Sequence, residues 1–262
     1  MTVSSSTRKA QREKPHADSF SPPPNQPSEL SRSPFVSLHD ATCEGRFHDC
    51  SCDLHAGEKV GIVGKSGSGK TSLLRAIMGS LPLDDGARTA PDHRGWCAFV
   101  RQQPGATLHP LMTVQSIIRE ATLIAGVEAP DYEELVGSLG LPTDVLHRRP
   151  HQLSGGQRQR VALARALATR PSVVLADEVV SALDTESATT TMSVLSAYQQ
   201  KSSCAVALTG HDVRFMVSTC DRIIVLDDGR IVDDRAAAEI GSSDVPQTAE
   251  LIHADRIFRG GV

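Results

Sequence analysis

The chain has 262 residues, with 27 Lys and Arg against 31 Asp and Glu, so its formal charge is −4 and its isoelectric point lies near 6.2. That balance gives no basis for a nucleic-acid partner, and aromatics at 3% leave no stacking platform for bases. No apolar run approaches the ~20 residues that span a bilayer, so any membrane contact would go through another protein.

Residues 1–34 are rich in Ser and Pro, carry Arg8, Lys9, Arg12 and Lys14 near the start, and lack the apolar centre of a signal peptide. They read as a disordered extension, with an over-called start codon as the alternative. The six cysteines, Cys43, Cys50, Cys52, Cys97, Cys204 and Cys220, form neither a disulfide ladder nor paired CxxC clusters. Cys50-Ser51-Cys52 has the period of a strand, which places both cysteines on one face as small buried side chains. This usage points to the cytoplasm.

Organised sequence begins near Phe35, where Phe35 to His39 alternates like a strand and a second such piece runs to Leu54. Gly57-Glu58 turns into the buried-strand run Val60-Gly61-Ile62-Val63, followed by a Gly-rich loop and a helix from Ser72 to Met78 stopped by Gly79. Asp84 to Pro91 reads as turn, and Ala98-Phe99-Val100 as a strand. From Thr113 the period becomes helical, ending in a helix over Ser154 to Ala168 with Ser154 as its N-cap. Strands return at Val173–Leu175, Ala205–Leu208 and Ile223–Leu226. Strands alternating with helices predict a mostly parallel α/β sheet, here with a helical insertion.

Gly64-Lys65-Ser66-Gly67-Ser68-Gly69-Lys70-Thr71 fits G-x-x-x-x-G-K-[ST] between a strand and a helix. Glycines let the backbone curl so that successive N–H groups face one point, at the positive end of a helix where phosphate is favoured. In such a cradle Lys70 reaches the β- and γ-phosphates and the Thr71 hydroxyl binds Mg²⁺, which indicates an NTPase. The apolar run Val173–Ala176 leads into Asp177-Glu178, a costly place for two carboxylates unless they face a cation and a water. Asp177 would hold Mg²⁺ and Glu178 would act as general base.

Leu153-Ser154-Gly155-Gly156-Gln157-Arg158-Gln159-Arg160 resembles the signature of the ATP-binding cassette (ABC) family. It stands in order with the phosphate loop, a Gln-loop at Gln102, Asp177-Glu178, a D-loop at Ser181-Ala182-Leu183-Asp184 and a switch histidine at His211, over about residues 35–233. The resemblance implies a P-loop NTPase core with an antiparallel β subdomain and an inserted helical subdomain. It divides the chain into the extension 1–34, an ATPase domain at 35–240 with a helical subdomain at about 104–168, and a tail at 241–262 with a short helix. ATP and Mg²⁺ are the implied cofactors. Gly64 to Thr71, Gln102 and Ser154 to Gln157 would contact nucleotide, Thr71, Gln102 and Asp177 the metal, and Lys70, Glu178 and His211 would act in catalysis. Gln103 is the alternative to Gln102, which is preferred because the family's Gln-acid-Pro pattern puts Gln103 at the acidic place.

The signature opens a helix and so offers a second anion site, which one chain does not need for one nucleotide. In the family it closes over ATP held by another subunit, so the implied partner is a second copy or a paralogous ATPase. Transmembrane permeases at the cytoplasmic face of the membrane, and indirectly an extracytoplasmic binding protein, complete the set. Leu108-His109-Pro110, Arg148 to Leu153, Cys220-Asp221-Arg222 and the tail Pro246 to Ile252 are most similar to the peptide and nickel importer ATPases. A soluble ABC ATPase and an exporter ATPase are the alternatives. Two departures stand out. Glu178 is followed by Val179-Val180 in place of Pro-Thr, and the family's adenine-stacking aromatic is not evident, with His39 and Phe47 as candidates. Residues 1–33 carry too little apolar content to pack, so deleting them is expected to leave the melting temperature and ATP affinity nearly unchanged; a large drop in melting temperature would contradict this.

Overall fold

The computed structural model describes residues 33–101, 107–179 and 185–260. Residues 1–32 of the expected extension, Gln102 and Gln103, Val180 and the Ser181–Asp184 loop lie outside them. Two sheets organise the described chain. Strands β1 (Val36–Cys43), β2 (Phe47–Leu54) and β4 (Asp85–Thr89) form an antiparallel sheet in the order β2-β1-β4. Strands β3 (Lys59–Val63), β5 (Cys97–Val100), β6 (Val173–Asp177), β7 (Ala205–Gly210), β8 (Arg222–Asp227) and β9 (Arg230–Ala236) form the second, in the order β5-β6-β7-β3-β8-β9. All its neighbours are parallel except β8 and β9.

The helices are α1 (Lys70–Met78), α2 (Val114–Ala125), α3 (Tyr132–Ser138), α4 (Gly155–Ala168), α5 (Thr185–Ser202), α6 (Val213–Thr219) and α7 (Pro246–Gly260). Three of them, α2 to α4, follow one another between β5 and β6. The larger sheet is buried on both faces, which is why its strands read as continuous apolar runs. Alternate residues serve different cores: Val173 and Leu175 join β1, β2 and α1, while Val174 and Ala176 join α2 and α4. Gly61 marks a close approach on β3, where a β-carbon would sit 2.8 Å from Ile223 Cδ1 and 3.3 Å from Met216 Cβ of α6.

Two strands escape the sequence reading. β4 lies within the stretch expected to be turn, and all five of its residues are exposed. Backbone pairing with β1 alone makes it a strand, so it has no alternation to read. β9 follows β8 through Asp228-Gly229, both in the left-handed region, and that dipeptide is a hairpin signal present in the sequence. Cys220-Asp221-Arg222 works in the sheet: the Asp221 carboxylate accepts from Lys59 N at 2.8 Å and Arg222 Nε lies 2.8 Å from Glu58 Oε1. Cys50 and Cys52 are buried on one face of β2, and burial pushes the Cys52 thiol up to about 12 and raises that of Cys50. Protonated thiols are poor metal ligands.

The C-terminal helix is anchored by a buried carboxylate. Asp233 of β9 accepts from Thr248 Oγ1 at 2.9 Å, from Arg235 Nε at 2.6 Å and from Ser243 Oγ. Burial opposes its charge, but the hydroxyl and guanidinium donors outweigh burial and hold the carboxyl below its ordinary range. A carboxyl depressed on folding contributes stability above its unfolded pKa of roughly 3.9 and loses it as the pH falls through the folded value. Asp233→Asn is therefore expected to cost about 1–3 kcal/mol at neutral pH. In urea titrations its difference from the unsubstituted chain should shrink below about pH 4.

Candidate active site

The site is built where β3 ends. Val63 is fully buried, the loop from Gly64 to Gly69 turns the chain, and α1 begins at Lys70. A β-carbon at Gly64 would run into the Leu226 carbonyl and Ser68 Oγ. Gly69 has φ 101° and lies so close to the turn between β1 and β2 that a β-carbon would stand 2.7 Å from Arg46 O. The loop is thus pressed against β8 on one side and that turn on the other. Arg46 also reaches α1, with Nη1 3.4 Å from Ser72 Oγ.

Lys70 is 6% exposed, and its Nζ donates to Gly64 O at 2.8 Å and Lys65 O at 2.9 Å. Desolvation lowers its pKa, opposed by the charges of Glu178 and Asp177. Two neutral carbonyls satisfy two of the three protons of this ammonium without cancelling its charge, so the loop favours an anion. Ser68 Oγ is also buried and makes no hydrogen bond among the described residues. Both features fit a loop that takes phosphate oxygens.

The carboxylates stand opposite. Asp177 Oδ1 accepts from Thr71 Oγ1 at 2.9 Å and from Thr209 Oγ1 at 2.8 Å. Parallel pairing of β6 with β7 puts Asp177 beside Thr209, which fixes this contact. Glu178 has φ 52°, in the left-handed region that side chains rarely adopt. It is held there from both ends: Glu178 N donates to Thr209 Oγ1 at 2.9 Å, and Gln159 Nε2 of α4 donates to the following Val179 carbonyl at 3.3 Å. His211, just past β7, brings Nε2 to 2.6 Å from Glu178 Oε1. Lys70, Thr71, Asp177, Glu178 and His211 are therefore one cluster, drawn from two strand ends and one helix.

Among the described residues, Ser154, Gly155, Gly156 and Gln157 make no hydrogen bond or ion pair to that cluster. Ser154 Oγ accepts from Gln157 N at 3.2 Å and Gln157 Oε1 accepts from Ser154 N at 3.0 Å, a capping box that starts α4. A β-carbon at Gly155 would meet nothing within 4 Å, and one at Gly156 only the Arg160 guanidinium at 4.0 Å. Packing among the described residues does not require either glycine. Bare backbone at an exposed helix start suits the close approach of something from outside.

A model of the ABC transporter family matches residues 47–181, just over half of the chain. A Brucella ovis protein named as a peptide import ATP-binding protein is 34% identical over 223 residues, covering 78% of this chain and 70% of its own. The chain belongs to the ABC transporter family. An ATP-binding subunit of an ABC transporter has the same fold, with a TM-score of 0.72 at 21% identity over 83% of this chain and 99% of that one. A dimeric ATP-binding cassette solved in a post-hydrolysis state with ADP and phosphate superposes with a TM-score of 0.64 at 26% identity, covering 77% and 98%. This chain is thus an ABC ATP-binding subunit and an ATPase.

Two points change for this ABC ATPase. Phe47 is fully buried between the sheets and offers no ring to a nucleotide; His39 is exposed on β1, paired with Ala87 of the edge strand. The sequence reading also missed Thr209, whose hydroxyl serves Asp177 and Glu178 at once. No motif announces a threonine inside an apolar strand; only the register of β6 against β7 does. Thr209→Val removes both hydrogen bonds at nearly constant shape. It is expected to cost about 1–3 kcal/mol of stability and to slow ATP hydrolysis about ten- to hundredfold, while Thr209→Ser retains most of both. Unchanged turnover in the valine variant would remove Thr209 from the site.

Proposed function

We propose that this chain is the ATP-hydrolysing subunit that powers an ABC importer for peptides, nickel or metal chelates. The observation that carries the catalytic part is the Glu178 carboxylate, held against His211 at the end of a buried strand and facing the Lys70 cradle. In this reading the loop N–H groups and Lys70 bind the β- and γ-phosphates of ATP. Glu178 takes a proton from water, the water oxygen bonds to the γ-phosphorus, and the bond to the bridging oxygen breaks with its electron pair leaving on ADP. His211 keeps the carboxylate in place and contacts the γ-phosphate. Gln102, which lies outside the described residues, would contact Mg²⁺ and nucleotide in this reading. Thr71 and Asp177, whose oxygens lie 2.9 Å apart beside the cradle, form a hydroxyl and carboxylate donor set suited to Mg²⁺. When bound, Mg²⁺ would neutralise charge on the phosphate oxygens.

The open signature supports a second subunit as partner, a copy of this chain or a paralogue, with Ser154 to Gln157 closing over nucleotide held by the other's loop. A permease is supported by a groove of about 700 Å³ between β5 and helices α2 and α4. It is lined by Met78, Phe99, Val100, Ala121, Ile124 and Ala162; Ile124 is exposed, as is the preceding Leu123 on α2. No helix among the described residues is long and apolar enough to cross a membrane, so the reading places this subunit on the cytoplasmic face through such a partner. The importer direction and the peptide class are supported by the names of the Brucella relatives.

Glu178→Gln keeps the shape and cannot take a proton, so hydrolysis is expected to fall on the order of 10²–10⁴-fold with ATP binding retained. Vesicles carrying the chain with its permeases should take up labelled peptide only with ATP, and this substitution should stop uptake. Hydrolysis within a few fold of the unsubstituted chain would sink the base assignment, and ATP-driven efflux would sink the importer.

A further inference from the structure

One side chain joins the C-terminal helix to the phosphate loop. Both carboxylate oxygens of Glu250, on α7, lie 3.0 Å from Lys65 Nζ. Lys65 is the second residue of the loop, and its carbonyl also accepts the Lys70 ammonium. Glu250 is not a charge on a loose tail. Two residues earlier Thr248 is buried and bonded to Asp233, and one residue later Leu251 packs on the core. Helix geometry then puts Glu250 where it stands. The ion pair itself is solvated, with side chains 56% and 63% exposed, so it can open.

We infer that Glu250 is a positioning residue of the nucleotide site: it turns Lys65 toward the C-terminal helix and cancels its charge, so that α7 limits how tightly the loop takes a polyphosphate. The inference rests on the reading of residues 64–71 as the nucleotide cradle. An incoming triphosphate meets Lys70, the loop N–H groups and Lys65. While Glu250 holds Lys65, that ammonium attracts the triphosphate less, and it can turn to the phosphates only after the pair opens. Because both partners are exposed, the restraint is weak, screened by salt and adjustable by whatever displaces α7.

The test is the dissociation constant for ATP on the full chain, with KM and kcat for hydrolysis, at low and high salt. Glu250→Gln is expected to tighten ATP about two- to fivefold at low salt, with the gain narrowing as salt rises. The change should fall on KM rather than kcat. Glu250→Asp, which keeps the charge, should return affinity toward the unsubstituted value. Lys65→Ala should weaken ATP, and adding Glu250→Gln to it should recover nothing, because Glu250 acts through Lys65. Unchanged affinity in Glu250→Gln overturns the inference, as does weaker binding with a lower melting temperature, which would mean that Glu250 merely holds the helix. A gain that persists in the Lys65→Ala background also overturns it. If the unsubstituted chain binds no ATP, the nucleotide reading itself fails; if it binds ATP and Glu250→Gln changes nothing, only this inference does.

Discussion

A buried ammonium must be faced by oxygen, and much of this site follows from where the chain finds that oxygen for Lys70. The loop supplies two of its own carbonyls, from Gly64 and Lys65, and the end of β6 supplies the carboxylates of Asp177 and Glu178 at longer range. Neutral carbonyls leave the charge standing. The consequence is a loop that is stable as it is and still attracts an anion, which is what binding and releasing ATP demands.

The same economy governs the carboxylates. Asp177 and Glu178 end a strand buried on both faces, and each would be costly there alone. Thr209 resolves this from the adjacent strand by donating to Asp177 and accepting from the Glu178 amide. Its second bond also steadies a left-handed glutamate, and Gln159 of α4 steadies the next residue. Strain at Glu178 is therefore tied to the helix that begins with the signature. A shift of α4 would be felt one residue from the carboxylate that faces His211, a contiguous route between that helix and the Glu178 cluster.

The C-terminal helix belongs to the same chemistry. A buried carboxylate on β9 fastens α7, and the helix in turn presents Glu250 to the loop. Its hold on the loop is a solvated pair, while its hold on the sheet is a buried one, so of the two it is the contact with the loop that can open.

The sequence by itself determined the fold class and marked most of the candidate cluster. A Gly-rich loop between an apolar run and a helix, two carboxylates after another such run, and Ser154 ahead of a helix are local patterns with local causes: phosphate geometry, charge burial and N-capping. Their order along the chain carried the family. Tertiary structure decided what depends on pairing between distant segments. β4 exists because β1 offers it backbone partners, although none of its side chains is buried. Phe47 looked available to a nucleotide and is instead fully buried, because strand alternation does not say which face another layer will cover. Thr209 entered the site through the register of two parallel strands, and Glu250 through a helix 185 residues beyond Lys65. Contacts of that range cost loop entropy and leave no period in the sequence, so only the folded chain reveals them.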